Sequence, residues 1–129
     1  MHQVGTATEV RALHVMPGMP EPEGSLHAHD YKIEVVIERA QLDDRSMVCD
    51  LDILDAALQA LADEIRDADL ERIRPEGVEA VTVEIFARWA HDRLSEPVRI
   101  AGGEVLTVRV WESPVAFGGY QAPVAPMAS

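Results

Sequence analysis

The chain has 129 residues, of which 47% are hydrophobic, and this length allows one compact domain with little room for a second. Its 23 acidic and 11 basic residues give a formal net charge of -12, which argues against a nucleic-acid partner because such a partner requires a basic face. The sequence has no run of about 18 apolar residues, no signal-peptide pattern at its start and only one cysteine, Cys49, so we expect a cytoplasmic, soluble protein without an internal disulfide.

The first two predicted elements are strands separated by a loop. Residues 6–15, TATEVRALHV, alternate as in a strand, and one face carries Thr8, Val10, Ala12 and His14. The segment MPGMPEPEGS is predicted as a loop because its prolines remove backbone donors and its glycines widen backbone freedom. Residues 27–38 alternate again, and their common face carries His27, His29, Tyr31, Ile33, Val35 and Ile37.

Two helices are predicted next. Asp50 is a favourable N-cap for the first helix, whose apolar residues recur at helical spacing: Leu51, Leu54, Leu58, Leu61 and Ile65. Thr82 can cap a second helix that ends before Pro97. The apolar side of this second helix is predicted to consist of Ile85, Phe86, Trp89, Ala90 and Leu94. In this helical phase His91 falls on the protein surface.

Two further strands complete the pattern. The run EVLTVRVWE puts Leu106, Val108, Val110 and Glu112 in one phase, and AFGGYQ is predicted as a short last strand. The order ββααββ indicates an α+β fold. We expect one domain, residues 1–122, followed by a flexible tail, residues 123–129. Because a small sheet leaves its edge strands open, we also expect oligomerisation to cover them.

Three histidines indicate a metal site. His27 and His29 share one side of the second strand, and His14 ends the first strand in phase with its apolar residues. If the two strands pair through the loop between them, the three imidazoles converge. Three histidines with one open position form a known zinc arrangement, since neutral nitrogen donors suit this ion. The alternative is that these side chains only form hydrogen bonds at the rim of the sheet.

Five segments, in order, resemble the family of 6-pyruvoyl-tetrahydropterin synthases and 6-carboxytetrahydropterin synthases. RALHVMPG is similar to the strand with the first zinc histidine, LHAHDYKIEV to the His-Gly-His-Asn-Tyr stretch, and MVCDLDIL to the Met-Val-x-Asp-Phe entry to a helix. VTVEIFARWA resembles the Pro-Thr-x-Glu-Asn-x-Ala start of the second helix, and VRVWES resembles the strand that ends in Glu-Thr. The resemblance covers nearly the whole chain.

This resemblance implies the tunnelling fold, in which each subunit has a four-stranded antiparallel sheet with two helices on one face. Three subunits of the family close a barrel and two barrels stack, so a homohexamer is expected. The resemblance also implies zinc on His14, His27 and His29, and a pterin anchored by Glu112, whose carboxylate can accept two parallel hydrogen bonds from the pterin ring. The strand phase of Glu112 predicts a buried anion that needs a partner, and the alternative is a glutamate that points into water at the end of the strand. Thr82 could donate to the same ring.

The chain departs from the family pattern at the catalytic positions. Where the family has its catalytic cysteine, four residues before the second zinc histidine, this chain has Glu23. The Leu-Asp-His segment of the family's proton relay corresponds here to Ile65, Arg66 and Asp67. A relay without histidine lacks the side chain best suited to proton transfer near neutral pH. Ala28 replaces the glycine between the paired histidines and adds a methyl group near the predicted metal site.

Three hypotheses about function follow. The preferred one is a pterin-binding homologue that has lost the synthase reaction. The second is an active zinc-dependent lyase that breaks a carbon–oxygen or carbon–carbon bond of a dihydropterin triphosphate-like substrate with Glu23 as base; a family subclass with glutamate at this position resembles an enzyme that makes 6-hydroxymethyl-dihydropterin. His91 is a candidate acid in that reaction, although its predicted surface position argues against the role. The third hypothesis is a structural hexamer without a reaction.

Overall fold

Our computed structural model describes residues 1–124 of the chain. These residues contain four strands and two main helices. In chain order the elements are strand β1 (His2–His14), strand β2 (His27–Arg39), helix α1 (Leu51–Ile65), a short 3-10 helix (Leu70–Ile73), helix α2 (Val83–Ile100), strand β3 (Val105–Ser113) and strand β4 (Ala116–Pro123). This order confirms the predicted ββααββ arrangement and the α+β class.

The strands form one antiparallel sheet in the order β1-β2-β3-β4. The loop between β1 and β2 closes a hairpin in which His14 lies directly opposite His27. Strands β3 and β4 form a second hairpin, whose register is irregular between Trp111 and Ser113. Strands β1 and β4 are the two edges of the sheet, so the edges that an oligomer would have to cover are at opposite sides of the molecule.

Both helices pack on the same face of the sheet, α1 against β1 and α2 against β3 and β4. Alternate side chains of the strands point into this layer, as the period of two predicted. The core between sheet and helices includes Ile33, Val35, Ile37, Leu106, Val108, Val110, Leu54, Leu58, Phe86 and Leu94. Full burial of one such side chain contributes about 1.5–3 kcal/mol, so this layer dominates the stability of the fold. Within residues 1–124, no helix is long and apolar enough to cross a membrane.

The predicted helix starts are confirmed by their caps. The Asp50 carboxylate accepts a hydrogen bond from the backbone N–H of Asp52, and the Thr82 hydroxyl accepts one from the N–H of Ile85. The predicted end of the second helix before Pro97 is wrong, because α2 continues to Ile100. Proline removes only one backbone bond inside a helix, and burial of Val98 in the core keeps the last turn in place.

The predicted surface position of His91 is also wrong, since only 3% of this residue is exposed. Helix α2 is rotated relative to the predicted phase, so that Ile85 and Trp89 are only partly buried and Ala87 faces the core. His91 lies one turn after Ala87 and therefore shares its face. Its ring packs edge-on against Tyr120 of β4, with centroids 4.9 Å apart.

The end of the described chain is held by the sheet. Strand β4 includes Pro123, and Val124 is buried with its N–H donating to the carbonyl of Glu104. The first two residues of the predicted tail therefore contact the domain. Residues 125–129 of that tail lie outside the described part of the chain.

Candidate metal and ligand site

The β1–β2 hairpin brings three histidines together at one end of the sheet. His14 and His27 are paired across the strands, and His29 is two residues further along the same face. The ring centroids of His27 and His29 are 4.6 Å apart. The ring centroid of His14 lies 5.5 Å from that of His27 and 6.2 Å from that of His29. One ring nitrogen of each histidine lies within 4.8 Å of the others, so the three side chains could hold a metal ion.

The hydrogen bonds of the histidines leave nitrogens free for a ligand. The Nδ1–H of His27 donates a hydrogen bond of 2.8 Å to the Ser25 carbonyl, so that Nε2 of the neutral ring carries the lone pair. This Nε2 atom lies 2.9 Å from Nε2 of His29. Both ring nitrogens of His14 are buried, and neither makes a hydrogen bond of normal geometry to the described residues, although the Val81 carbonyl is near the ring. Such atoms are rare in folded proteins, and a bound ion is one way to satisfy them.

Electrostatics favour the neutral form of His14. Burial lowers the pKa of this imidazole below its usual value, and the neighbouring His27 and His29 lower it further. The nearby Val81 carbonyl and the Glu112 carboxylate act in the opposite direction and are outweighed. Because a metal ion binds the neutral imidazole, His14 is in the form that can act as a ligand at neutral pH.

All six predicted site residues line a single pocket of about 510 Å³: His14, His27, His29, Glu23, Thr82 and Glu112. This volume is within the range of pockets that bind small molecules. The pocket lies where the loop before β2, the start of α2 and the end of β3 meet. The structure therefore places residues that are almost a hundred positions apart in the sequence around one cavity.

Comparison with known proteins identifies the family. The model of the 6-pyruvoyl tetrahydropterin synthase family matches residues 3–123. The chain belongs to this family. Its fold is similar to that of the Plasmodium falciparum 6-pyruvoyl tetrahydropterin synthase, with a TM-score of 0.72, 13% identity, and coverage of 95% of this chain and 98% of that one. The fold is also similar to that of the Caenorhabditis elegans 6-pyruvoyl tetrahydropterin synthase, with a TM-score of 0.64 and 18% identity. This match covers 94% of this chain and 95% of that one.

Another similar structure is a Plasmodium vivax synthase in which a catalytic glutamate is replaced by alanine, with a TM-score of 0.68, 12% identity, and coverage of 95% of this chain and 99% of that one. At such identities these likenesses show the tunnelling fold and no more. No curated protein sequence matches the chain with significance.

Two carboxylates of the predicted site, those of Glu23 and Glu112, line the pocket. Glu23 is exposed on the loop before β2, and its carbonyl accepts a hydrogen bond from the N–H of Met16, which fixes the loop backbone. Glu112 is exposed as well, so the predicted buried anion is wrong for the chain described here. The cause is its place at the irregular end of β3, between Trp111 and Ser113, where the sheet no longer encloses the side chain.

Tyr31 and Glu84 are among the pocket residues that the sequence analysis did not name as site residues. Tyr31 is buried, with its ring centroid 5.6 Å from that of His29, and burial together with Glu112 raises the pKa of its phenol. It remains a hydrogen-bond donor at neutral pH. Glu84 lines the pocket from the first turn of α2, directly after the Thr82 cap. The strand phase of the histidines could have indicated Tyr31, and the cap position could have indicated Glu84.

The other residues that the sequence comparison singled out do not line the pocket. Cys49 is buried elsewhere, and burial raises the pKa of its thiol. Ile65 is part of the core, while Asp67 is on the surface near Arg11. The methyl group of Ala28 is exposed on the face of β2 that points away from the histidines, so it does not crowd the predicted metal site.

Proposed function

We propose that this member of the 6-pyruvoyl tetrahydropterin synthase family binds a reduced pterin in the pocket that contains the three histidines. The observation that carries the proposal is that Glu112 and Thr82 line the same pocket as these histidines. A carboxylate can accept two parallel hydrogen bonds from the ring N–H and exocyclic amine of a pterin. The Thr82 hydroxyl lies beside the same space, although its oxygen also caps α2.

Zinc is the metal that we propose for His14, His27 and His29. The fit is supported by the unpartnered, buried nitrogens of His14 and by the Ser25 carbonyl, which orients the His27 ring. This second contact resembles the outer-shell bonds that fix ligand histidines in zinc proteins. When bound, the ion would polarise an oxygen of the pterin side chain.

The standard synthase reaction is not the activity that we propose. The family's cysteine position holds Glu23, and Cys49 is buried outside the pocket. The two relay positions hold Arg66, which pairs with Asp63, and Asp67, which is on the surface near Arg11. His91 does not line the pocket and instead approaches the carbonyl of Ala122, so it is not a substitute acid.

A second candidate function is cleavage of the pterin side chain with Glu23 as general base. It is favoured by the place of Glu23 in the same pocket and by the catalytic glutamate of the Plasmodium vivax synthase. Glu23 would remove the proton of a side-chain hydroxyl, and the adjoining carbon–carbon bond would break to release a short aldehyde. The electron pair would enter the ring imine of the dihydropterin, and the remaining carbon would then be protonated.

For the assembly we propose the homohexamer of the family, a dimer of trimeric barrels. The open edge strands β1 and β4 support it, because pairing of β1 in one subunit with β4 in the next would close a sheet without exposed edges. Sedimentation of the purified chain measures this assembly directly. A monomer at micromolar concentration would contradict it. The cytoplasmic location stays a prediction.

Calorimetric titration with dihydroneopterin and biopterin tests pterin binding. We expect saturable binding to the wild type and at least about tenfold weaker binding to Glu112→Gln, which corresponds to the loss of one charge-assisted contact. Glu76→Gln is a matched control, since Glu76 is exposed and does not line the pocket. No binding of either pterin at millimolar concentration would reject the proposal and leave the structural hexamer.

Product analysis tests the second candidate. Zinc-loaded protein is incubated with a dihydropterin, and 6-hydroxymethyl-dihydropterin is sought by chromatography. We expect its formation to be lost in Glu23→Gln while pterin affinity stays within about threefold of the wild type, because the base acts after binding. Equal turnover of wild type and variant would exclude Glu23 as the base.

A further inference from the structure

Tyr31 is a buried residue whose hydroxyl group has no partner. Only 2% of the residue is exposed, and its ring packs edge-on against the rings of His29 and Phe86, at centroid distances of 5.6 Å and 5.3 Å. Burial and the charge of Glu112 raise the pKa of the phenol, and no hydrogen bond to residues 1–124 takes part in this shift. The hydroxyl of a buried tyrosine usually forms a hydrogen bond, so this donor is available to a ligand.

The hydroxyl opens into the candidate pocket. Tyr31 is one of the residues that line it. In the described chain, the side-chain nitrogen and oxygen atoms that are sealed from solvent without a hydrogen bond are those of the His14 ring, and the Tyr31 oxygen is not among them. Its place is set within one subunit, because β2 is an interior strand of the sheet and the ring packs against α2. A subunit that pairs with the edge strand β1 or β4 does not displace it.

Tyr31 adjoins both ends of the predicted ligand site. It follows His29 by two residues on β2 and therefore lies on the same face of the sheet. The pairing of β2 with β3 ends at Lys32 and Trp111, and Tyr31 and Glu112 are the next residues on the two strands. The charge of Glu112 acts on the phenol, as expected for neighbours. Tyr31 thus supplies a donor between the histidines and the carboxylate.

A pterin presents its polar groups in a matching order. Along one edge of its ring the exocyclic amine and N3–H come first, the acceptors O4 and N5 follow, and the side chain at C6 comes last. With the two donors on Glu112 and a side-chain oxygen toward the histidines, the acceptors face the residue in between. N5 is the acceptor next to the side chain. It is therefore the one nearer to His29, against which the Tyr31 ring packs.

We infer that the Tyr31 hydroxyl donates a hydrogen bond to N5 of the bound pterin and that Tyr31 is a specificity-determining residue of the site. The inference rests on the proposed pterin binding and adds a contact to it. The ligand class is then a pterin whose N5 is an imine nitrogen with a free lone pair, as in a 7,8-dihydropterin. A ligand without an acceptor at this position would leave the buried hydroxyl unpaired, and this loss lowers affinity.

The same contact assists the second candidate reaction. When Glu23 takes the proton of the side-chain hydroxyl and the carbon–carbon bond breaks, the electron pair is shared between the remaining side-chain carbon and N5. A donor already aimed at N5 stabilises the charge that develops there. The proton held by Glu23 then moves to the side-chain carbon, so protons and electrons balance. Tyr31 keeps its own proton throughout.

The test is a set of calorimetric titrations of the full-length, zinc-loaded protein with 7,8-dihydroneopterin and with its 5-deaza analogue, in which a C–H group replaces N5. We expect the wild type to bind the analogue at least about fivefold more weakly. Tyr31→Phe keeps the aromatic ring but lacks the donor. It should bind 7,8-dihydroneopterin at least about fivefold more weakly than the wild type does, and it should bind the two ligands within about twofold of each other.

Tyr120→Phe is the matched control. Tyr120 is the other tyrosine of the chain, and it packs against His91 and does not line the pocket. Its substitution should change neither dissociation constant. Tyr31→Phe should also leave the zinc affinity and the urea midpoint of the ligand-free protein unchanged, because the hydroxyl that it removes has no partner in the described chain.

Three results would overturn the inference and leave pterin binding intact. The first is equal affinity of the wild type for the two ligands. The second is a Tyr31→Phe protein that loses the same factor for both ligands, since its hydroxyl would then act on an atom other than N5. The third is a lowered urea midpoint of this variant, which would show that the hydroxyl is bound within the protein. Failure of the wild type to bind 7,8-dihydroneopterin rejects the proposed function, and the inference falls with it.

Discussion

The Nε2 atoms of His27 and His29 lie 2.9 Å apart, while Nδ1 of His27 faces the Ser25 carbonyl. Since Nδ1–H donates a hydrogen bond to that carbonyl, the lone pair of the neutral His27 ring is on Nε2 and points at His29. Two such nitrogens are compatible at this distance only when a proton or a cation lies between them. Nε2–H of His29 can donate to the His27 lone pair, or a metal ion can bind both nitrogens, and His14 adds two buried nitrogens next to them.

Replacement of His14 by alanine should abolish tight zinc binding. We expect the zinc affinity to fall by more than about 100-fold, which exceeds the usual cost of losing an outer-shell partner. Competition with a chromogenic chelator measures the affinity, and circular dichroism verifies that the variant is folded. His2→Ala is the control, because His2 is exposed at the start of β1 and outside the pocket. Equal affinity of wild type and His14→Ala would remove His14 from the ligand set.

The metal-free protein should lose stability on mild acidification through His14. Its pKa in the folded state is lowered, chiefly by burial, whereas in the unfolded chain it is near 6.5. The unfolded state then binds more protons as the pH falls, so the contribution is fully present above about pH 6.5 and is lost below it. Urea unfolding in the presence of chelator is measured at neutral and at mildly acidic pH. On acidification the free energy of unfolding should fall more for the wild type than for His14→Gln. An equal fall in the free energy of unfolding for both proteins would contradict the assignment of this pH dependence to His14.

The fold and the centre of the site were predictable because they depend on local patterns. Alternation along β1 and β2 predicted which side chains face the core, and the caps Asp50 and Thr82 predicted both helix starts. The same alternation put His27 and His29 on one face, so hairpin pairing was enough to bring His14 to them.

The remaining errors concern features that depend on tertiary contacts. The rotation of α2 that buries His91 is set by packing against β4, and the pattern of the helix alone does not fix it. The exposure of Glu112 follows from the irregular register at the end of β3, which alternation does not predict. The place of Glu84 in the pocket depends on the close approach of α2 to Gly118 of β4. Glu84 and Gly118 are distant in the sequence, so the sequence pattern does not show this contact.

Cys49 should be unreactive and dispensable for ligand binding. Burial, followed by the charges of Asp50 and Asp43, raises the pKa of its thiol, and only the thiolate is a good nucleophile. Iodoacetamide should therefore label the folded protein much more slowly than the protein in urea. Cys49→Ala should bind zinc and dihydroneopterin within about twofold of the wild type, because an interior substitution outside a pocket acts on stability more than on affinity. Loss of either ligand in this variant would place Cys49 in the site.

His91 should act on stability and not on the site. Its Nε2 atom forms a hydrogen bond of 3.2 Å with the carbonyl of Ala122 and so connects α2 to β4. Its ring also packs against Tyr120. His91→Ala should lower the free energy of unfolding by about 2–4 kcal/mol through the cavity and the unpaired carbonyl. Urea unfolding measures this change. Asp92→Ala is the control, because Asp92 is exposed, and it should lower the free energy of unfolding by less than about 0.5 kcal/mol. A folded His91→Ala protein with reduced turnover per pterin bound would instead indicate a catalytic role.

Gly118 should be needed for the close approach of β4 to the start of α2. An added Cβ atom would lie 2.6 Å from Cγ2 of Val83 and 3.0 Å from the backbone nitrogen of Glu84, and the backbone atom cannot rotate away. Gly118→Ala should therefore lower the free energy of unfolding by about 1–3 kcal/mol, the usual cost of overpacking. It should also weaken pterin binding, because Val83 and Glu84 line the pocket.

A double variant separates crowding at Gly118 from other effects of the added methyl group. Val83→Ala removes the Cγ2 atom that the new Cβ would contact. If crowding is the cause, the stability loss of the Gly118→Ala, Val83→Ala protein should be smaller than the sum of the two single losses, by at least about 0.5 kcal/mol. Urea unfolding of the four proteins in this cycle gives the coupling energy. Strictly additive losses would show that contact with Cγ2 of Val83 is not the cause of the stability loss in Gly118→Ala.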